Sequence, residues 1–402
     1  MLFEFGFYSS LLLIPFAQGI IYSILLSIKA YKTENKSNYW LSVFLFLCSL
    51  FIAPWMLGFG GWYDNQPYRD ILFYTPFQQL FFMGPMIYFY TQSLLNPSFK
   101  LSKKDILHFI PGILYLLLII SFWIYDKFIF DDYFFYKDGM DKDFDSWYQY
   151  TGFASMSIYF MLSILYYNKY KKLIVQVSSN ADNLLFRWIR NYLLAFLTMI
   201  GIRIGFTILS TIFPELESYQ GTWWFFLMFS LVLYYIAVTG YSNSVSAKIP
   251  FRMSVFDRNP ILISANSSIN DDDENTIDIE HEIFDRPILP DVEDWKLKIE
   301  ELLTTEKLYE NPELTLTDIA KRLNTNATIV SKAINQGFQM NFNDLINNYR
   351  VEAIKIMLEN GENKKSTLLG IAFDCGFNSK ATFNRAFKKN TGITPKDFAN
   401  NI

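Results

Sequence analysis

Ile371-Ala372-Phe373-Asp374-Cys375-Gly376-Phe377-Asn378-Ser379-Lys380-Ala381-Thr382-Phe383-Asn384-Arg385-Ala386-Phe387-Lys388-Lys389 is the stretch from which the rest of the chain can be read. Ile371 and Ala372 face a core. Gly376 stands where a short helix must end in a left-handed residue, a conformation glycine adopts with no Cβ penalty, and Phe377 plugs the turn that follows. Ser379 suits the N-cap of a second helix, whose Phe383 and Phe387 repeat at i and i+4 as its buried stripe. Lys380, Ala381, Asn384 and Arg385 remain on the open face. The pattern predicts a helix-turn-helix whose second helix carries a polar, basic outer surface.

The same pattern occurs earlier, from Leu314 to Ile334. Asn324 takes the place of Gly376, as the non-glycine residue most tolerant of the left-handed region. Asn326 caps the following helix, Val330 and Ile334 repeat at i and i+4, and Thr328, Ser331 and Lys332 stay exposed. Between the copies, Asn343 to Glu359 reads as one amphipathic helix with Leu345, Ile346, Tyr349, Ala353, Ile356 and Met357 inward, ended by Asn360 and Gly361. At ~1.5 Å per residue it spans about 25 Å, the scale needed to hold two recognition helices roughly one DNA turn apart.

With Ile371-Ala372, Gly376-Phe377, the Ser379 cap, Phe383, the Arg385/Phe387/Lys388/Lys389 cluster, the closing Thr391-Gly392-Ile393-Thr394-Pro395 and Phe398, the chain resembles the AraC/XylS family of bacterial transcription regulators from about Val292 to Phe398. The resemblance implies two helix-turn-helix units joined by a linker helix and bound to double-stranded DNA. It implies contacts from Thr328, Ser331 and Lys332 in the first unit and from Lys380, Ala381, Asn384, Arg385 and Lys388 in the second. The first unit departs from the family pattern at Asn324 and at Lys332, which stands where arginine is common; lysine offers a point charge and no bidentate fork for guanine. From Glu313 to Ile402 there are 12 Lys and Arg against 8 Asp and Glu, a weak basic balance that the paired motifs reinforce.

Composition points elsewhere for the first 241 residues. The 402-residue chain is 51% hydrophobic and 19% aromatic, with a mean hydropathy of +0.14. Only 18% of its residues are charged, against about a quarter in an ordinary soluble domain. The deficit lies before residue 242, where apolar runs recur at membrane-spanning length. Seven spans are expected: Tyr8 to Ile28, Tyr39 to Phe59, Ile71 to Leu95, Ile106 to Tyr125, Trp147 to Tyr167, Arg187 to Phe213 and Thr222 to Tyr241. Pro76 and Pro85 leave open a count of six, with Ile71 to Leu95 broken or re-entrant. Pro15, Pro54 and Pro111 read as kinks.

Loop charge orients these spans. Connections after the first, third and fifth carry Lys29, Lys32 and Lys36; Lys100, Lys103 and Lys104; and Lys169, Lys171 and Lys172, with Arg187 and Arg190 entering the sixth. Those after the second, fourth and sixth are acidic or nearly uncharged, the longest holding seven Asp between Asp126 and Asp145. The positive-inside rule then places the N-terminus outside and the C-terminus in the cytoplasm of a bacterial inner membrane. The fold class expected is all-α: a polytopic seven-helix bundle in lipid over 1–241, a linker over 242–290, and a double helix-turn-helix domain over 291–402.

Ser242 to Pro290 carries Asp271, Asp272, Asp273, Glu274, Asp278, Glu280 and Glu282 among Ser, Asn and Pro. It reads as a flexible acidic tether reaching about 40 Å, or as an acidic block that competes with DNA for the recognition faces. Asp291 to Tyr309 reads as an amphipathic helix with Trp295, Ile299, Leu302 and Leu303 on one side, packing on the first unit or pairing with a second copy in a homodimer.

Two histidines, His108 and His281, and two cysteines, Cys48 and Cys375, form no metal-ligand cluster. No Walker loop, dinucleotide fingerprint or nucleophile–base pattern is visible, so neither an enzyme nor a cofactor is expected. Arg203, inside the sixth span, either snorkels outward or pairs with Glu215, or acts as a signal-sensing charge. Gln18, Gln78 and Gln79 read as interhelical hydrogen-bonding residues. The outer loop Asp126 to Ser146 reads as a solvated interfacial loop or as a lid over a cationic or apolar ligand. The function expected is a membrane-bound transcription regulator driven by an unidentified small-molecule or membrane signal. The alternatives are a seven-helix transporter or receptor with a regulatory C-terminal domain, and a regulator released by proteolysis.

Overall fold

The computed structural model describes residues 5–179, 184–243, 251–252, 261–262, 277–278, 289 and 291–402. Among the described residues the fold is all-α apart from three two-residue strands, β1 (Phe251–Arg252), β2 (Ile261–Leu262) and β3 (Ile277–Asp278), which pair antiparallel in that order. The acidic run Asp271 to Glu274 lies outside the described residues. Two compact units divide the chain, one formed by 1–165 with 188–248 and the other by 166–187 with 249–402.

In the first unit, α1 (Phe7–Thr33), α2 (Ser37–Gly58), the run Asp105–Phe130 around α5 (Ile110–Ile124), Trp188–Ile212 of α7 (Leu184–Ile212) and α8 (Tyr219–Ser242) are long and apolar enough to cross a membrane. The other two expected spans differ. The third is two helices, α3 (Tyr68–Tyr74) and α4 (Leu80–Leu95), separated around Pro76; proline lacks a donor and disfavours the helical conformation in the residue before it. At about 1.5 Å per residue the 16 residues of α4 cover about 24 Å. The fifth lies within the 32-residue α6 (Ser146–Val177), which is rich in Ser, Tyr and Gln. Its Ser157 and Ser163 hydroxyls bond back to the carbonyls of Phe153 and Tyr159, so polar side chains need not oppose burial there.

Small residues line the contact between α1 and α2. Gly19 of α1 faces Ser49 of α2, where a Cβ would stand 2.1 Å from the Ser49 hydroxyl. Ser23 and Ser42 each donate to the other's carbonyl oxygen, at 2.9 and 2.7 Å, and Ser27 joins Ser42 at 2.7 Å. Such pairs let two backbones approach in an apolar medium. On the opposite side of α1, Ile14, Ile21, Ile24 and Ile28 are exposed, an apolar face of the kind lipid covers.

The acidic loop from Asp126 to Ser146 is not simply solvated. Asp126, Asp141 and Asp143 are buried. Asp126 accepts from the Tyr74 hydroxyl at 2.9 Å. Asp141 accepts from Tyr63 at 2.9 Å and from the Asp143 amide at 3.0 Å. Asp143 accepts from Tyr115 at 2.6 Å and from the Gln78 amide at 2.8 Å. The Gln78 side chain in turn accepts from Gln149 at 2.6 Å. One carboxylate pair thus fastens the break before α4 to α5 and to the start of α6. Burial raises both acids, Asp143 to about 7, with the charge of Asp143 adding to the rise at Asp141.

In the second unit, α9 (Val292–Thr305) buries Ile299 and Leu303 as its periodicity predicts. The first helix-turn-helix is α10 (Leu316–Arg322) and α11 (Ala327–Ala333). After the connecting α12 (Phe342–Glu359), the second is α13 (Leu368–Asp374) and α14 (Lys380–Thr391), closed by α15 (Pro395–Asn400). Val351, Ile354 and Leu358 of α12 join Ile371, Ala372, Phe377, Phe383 and Phe387 in one core. The inward stripe of α12 is therefore shifted from the expected one. Leu345 and Ile346 are buried, Tyr349, Ala353 and Met357 only half so, and Ile356 is 58% exposed, while Arg350 is buried at 1%.

Candidate nucleic-acid interface

Both units are built by capping. In the first, Thr315 and Asp318 form a reciprocal capping box at the start of α10. Asn324 takes φ +48°, the left-handed turn its side chain tolerates. The Asn326 side chain accepts from the Ile329 amide at 2.9 Å to start α11. In the second, the Thr367 hydroxyl caps α13 and that of Ser379 accepts from the Thr382 amide at 3.1 Å. Each such cap contributes about 1 kcal/mol.

Gly376 serves two purposes. Its φ is +91°, and a Cβ there would lie 2.3 Å from the Tyr309 carbonyl oxygen. Phe377 then packs on Phe383 with ring centres 5.6 Å apart, and Phe387 meets Phe398 at 5.3 Å.

This burial orients α14. With Thr382, Phe383, Ala386 and Phe387 inward, Lys380, Ala381, Asn384, Arg385 and Lys388 are all exposed. Their spacing of i, i+1, i+4, i+5 and i+8 keeps them on one side of the helix. In α11, Thr328, Ser331 and Lys332 are only half-buried rather than open. The Ser331 hydroxyl accepts from Asn335 at 3.3 Å, and strand β3 of the acidic stretch runs beside the helix. The connecting α12 has 18 residues, about 27 Å of helix. Lys389 of α14 pairs with Asp344 near its start at 2.7 Å, so α14 is tied to the linker helix at that point.

Arg350 is the residue that sequence reasoning missed. Its Nε donates to the Tyr309 carbonyl and its Nη2 to the Asn311 carbonyl, both at 2.7 Å. The guanidinium also sits 5.7 Å from the Phe377 ring centre. Burial draws it down to about 10. It connects the loop ahead of the first unit to the turn of the second. Its carbonyl acceptors lie outside the helix, so helical periodicity carries no sign of them.

Arg203 lies apart from this surface, in α7. Its guanidinium sits against the rings of Phe153 and Phe225, at 5.1 and 5.4 Å from their centres, and those rings meet each other edge to face at 6.5 Å, an arrangement that accommodates a cation in apolar surroundings. Both amide atoms of Gln18 are buried without a hydrogen-bond partner among the described residues. Cys375 is a core thiol pushed up to about 11 by burial, and Cys48 is buried and free.

Two capped helix pairs, each with a turn in the left-handed region and the second presenting a basic outer face, make a double helix-turn-helix domain, and a family match supports its reading as an AraC-type DNA-binding regulatory domain. A helix-turn-helix domain family model matches residues 319–401, from within α10 through α15. No curated protein and no solved structure matches the chain.

Proposed function

We propose that the protein is a membrane-bound, sequence-specific transcription regulator in which the helices of residues 1–241 receive a ligand or membrane signal and govern DNA binding by residues 291–402. The observation that carries this reading is the exposed face Lys380, Ala381, Asn384, Arg385 and Lys388 on a helix whose opposite side is locked by Phe383 and Phe387. A major groove admits one such helix. Arg385 is suited to bidentate contact with guanine, Asn384 to adenine, and Lys380 and Lys388 to flanking phosphates. Thr328, Ser331 and Lys332 supply the weaker first-unit contacts. Membrane residence is supported by the five long apolar helices. In this reading α4 and α6 also cross, for seven spans, and the alternation of basic and acidic loops supports an external N-terminus and a cytoplasmic C-terminus. Arg203 is the candidate signal-sensing charge within the bundle.

The test is crosslinking of the tagged full-length chain to DNA in intact cells, followed by sequencing of the captured fragments. Sharp peaks that disappear in an Arg385→Ala, Lys380→Ala chain support the reading. A chain shown to be in the membrane that yields no peaks under any growth condition, while vesicles containing it transport solute, would shift the assignment to a transporter.

A further inference from the structure

By charge alone, the connection after the fifth span is a basic loop. In the structure α6 continues through Lys169, Lys171 and Lys172 to Val177, and the two residues after it are buried, Ser178 at 8% and Ser179 at 0% exposure. The Ser179 amide donates to the Leu314 carbonyl at 3.0 Å. Ser178 stands opposite Thr315 in an isolated antiparallel bridge, and the Asn343 side chain donates to the Ser178 carbonyl at 3.2 Å. Arg350 completes the contact, with Nη1 donating to the Ser179 carbonyl at 3.2 Å and Nη2 to its hydroxyl at 3.1 Å. The end of α6 is thereby joined to the same guanidinium that links the first helix-turn-helix to the second. Beside this junction is a cavity of about 350 Å³ whose walls include Val175 of α6, Asn343 and Asp344 of α12, and Arg385 and Lys389 of α14.

From this we infer that Ser178–Ser179 is the docking point through which α6 controls the DNA-binding domain, and that the docked form is the one with low affinity for DNA. The inference rests on the proposed regulator function. A major groove about 12 Å wide takes one helix, and a helix with its side chains is itself about 10–12 Å across. With Val175 of α6 and Arg385 of α14 on the walls of one cavity, a duplex entering that face meets the end of a second helix where its flanking phosphates must pass. Undocking frees the face. Because Arg350 also holds Tyr309, Asn311 and Phe377, it loosens the setting of the two units as well. A signal that shifts α6 needs only to favour one of these two forms over the other to change DNA occupancy.

The test uses the full chain in lipid nanodiscs and random-sequence duplexes enriched on the undocked form. A Ser178→Cys, Thr315→Cys chain should form a disulfide across the bridge. Once oxidised it should bind the enriched duplexes about tenfold or more weakly than when reduced, within the usual range of coupling between sites. A Ser179→Pro chain, which lacks the amide donated to Leu314, should bind more tightly than the parent by a similar factor. Three results would overturn the docking proposal: no disulfide, equal binding by the oxidised and reduced chains, or Ser179→Pro binding no better than the parent. If no form enriches any duplex, the regulator reading itself fails and the docking proposal with it.

Discussion

Gly376 approaches Tyr309 so closely that a Cβ on the glycine would stand 2.3 Å from the tyrosine's carbonyl oxygen. That carbonyl is also held by Arg350, so it cannot simply move aside. Gly376→Ala therefore combines left-handed strain of about 1–2 kcal/mol with an overpacking cost of about 1–3 kcal/mol, and we expect protease resistance of the second helix-turn-helix to be lost. Asn324 has the same backbone handedness but already carries a Cβ. Asn324→Gly should stay within about 0.5 kcal/mol of the parent. Limited proteolysis of the two full-length variants compares the sites directly.

Arg385 and Lys388 are both exposed on α14, yet they should fail differently. Arg385→Ala should cost about 1–3 kcal/mol and relax preference at one base pair. Lys388→Ala should weaken all sequences alike and lower the dependence on log salt concentration by about one charge. Binding titrations at several salt concentrations, on the captured site and on single-base variants of it, separate the two. Loss of base preference in the lysine variant rather than the arginine variant would reverse the assigned roles.

The helix-turn-helix elements were legible because each depends on local chemistry. A left-handed residue, a side-chain cap three residues before an amide, and apolar residues four apart are all visible in sequence. Asn324, Asn326, Gly376 and Ser379 behave as their types require. What was not legible depends on distant partners. Arg350 has no local signal of its role, because its acceptors lie in Tyr309, Asn311 and Ser179. Composition could not tell which of the seven loop aspartates would meet Tyr63, Tyr74 or Tyr115. Pro76 left the break in the third span as an open alternative, since prolines bend some membrane helices without ending them.

The Asp141–Asp143 pair predicts an inverted pH dependence. A carboxyl group raised in the folded state binds its proton there more tightly than in the unfolded chain. For Asp143, the folded protein keeps this proton between the ordinary carboxyl value near 3.8 and about 7, a range in which the unfolded chain has lost it. Its stabilising contribution is therefore complete at low pH and declines as pH rises through that window. Thermal unfolding in nanodiscs should give a higher midpoint at pH 5 than at pH 8. Asp143→Asn, which keeps the shape and a permanent neutral charge, should flatten the profile. A parent chain more stable at pH 8 than at pH 5 would show that other ionisations outweigh this pair.

Arg203 offers a way to separate packing from signalling. Its guanidinium packs against the faces of Phe153 and Phe225, and a charge in apolar surroundings carries a desolvation cost. Arg203→Met retains much of the volume and gives the rings a polarisable sulfur, so it should match or exceed the parent in thermal stability. Arg203→Ala leaves a void beside the two rings and should lose about 1–3 kcal/mol. If the charge serves only packing, the Met variant will drive a promoter drawn from the captured sites as the parent does. We expect instead a folded, membrane-resident Met variant whose output no longer changes with the condition that alters the parent's, because a stable hydrocarbon replacement removes only what the charge itself contributed.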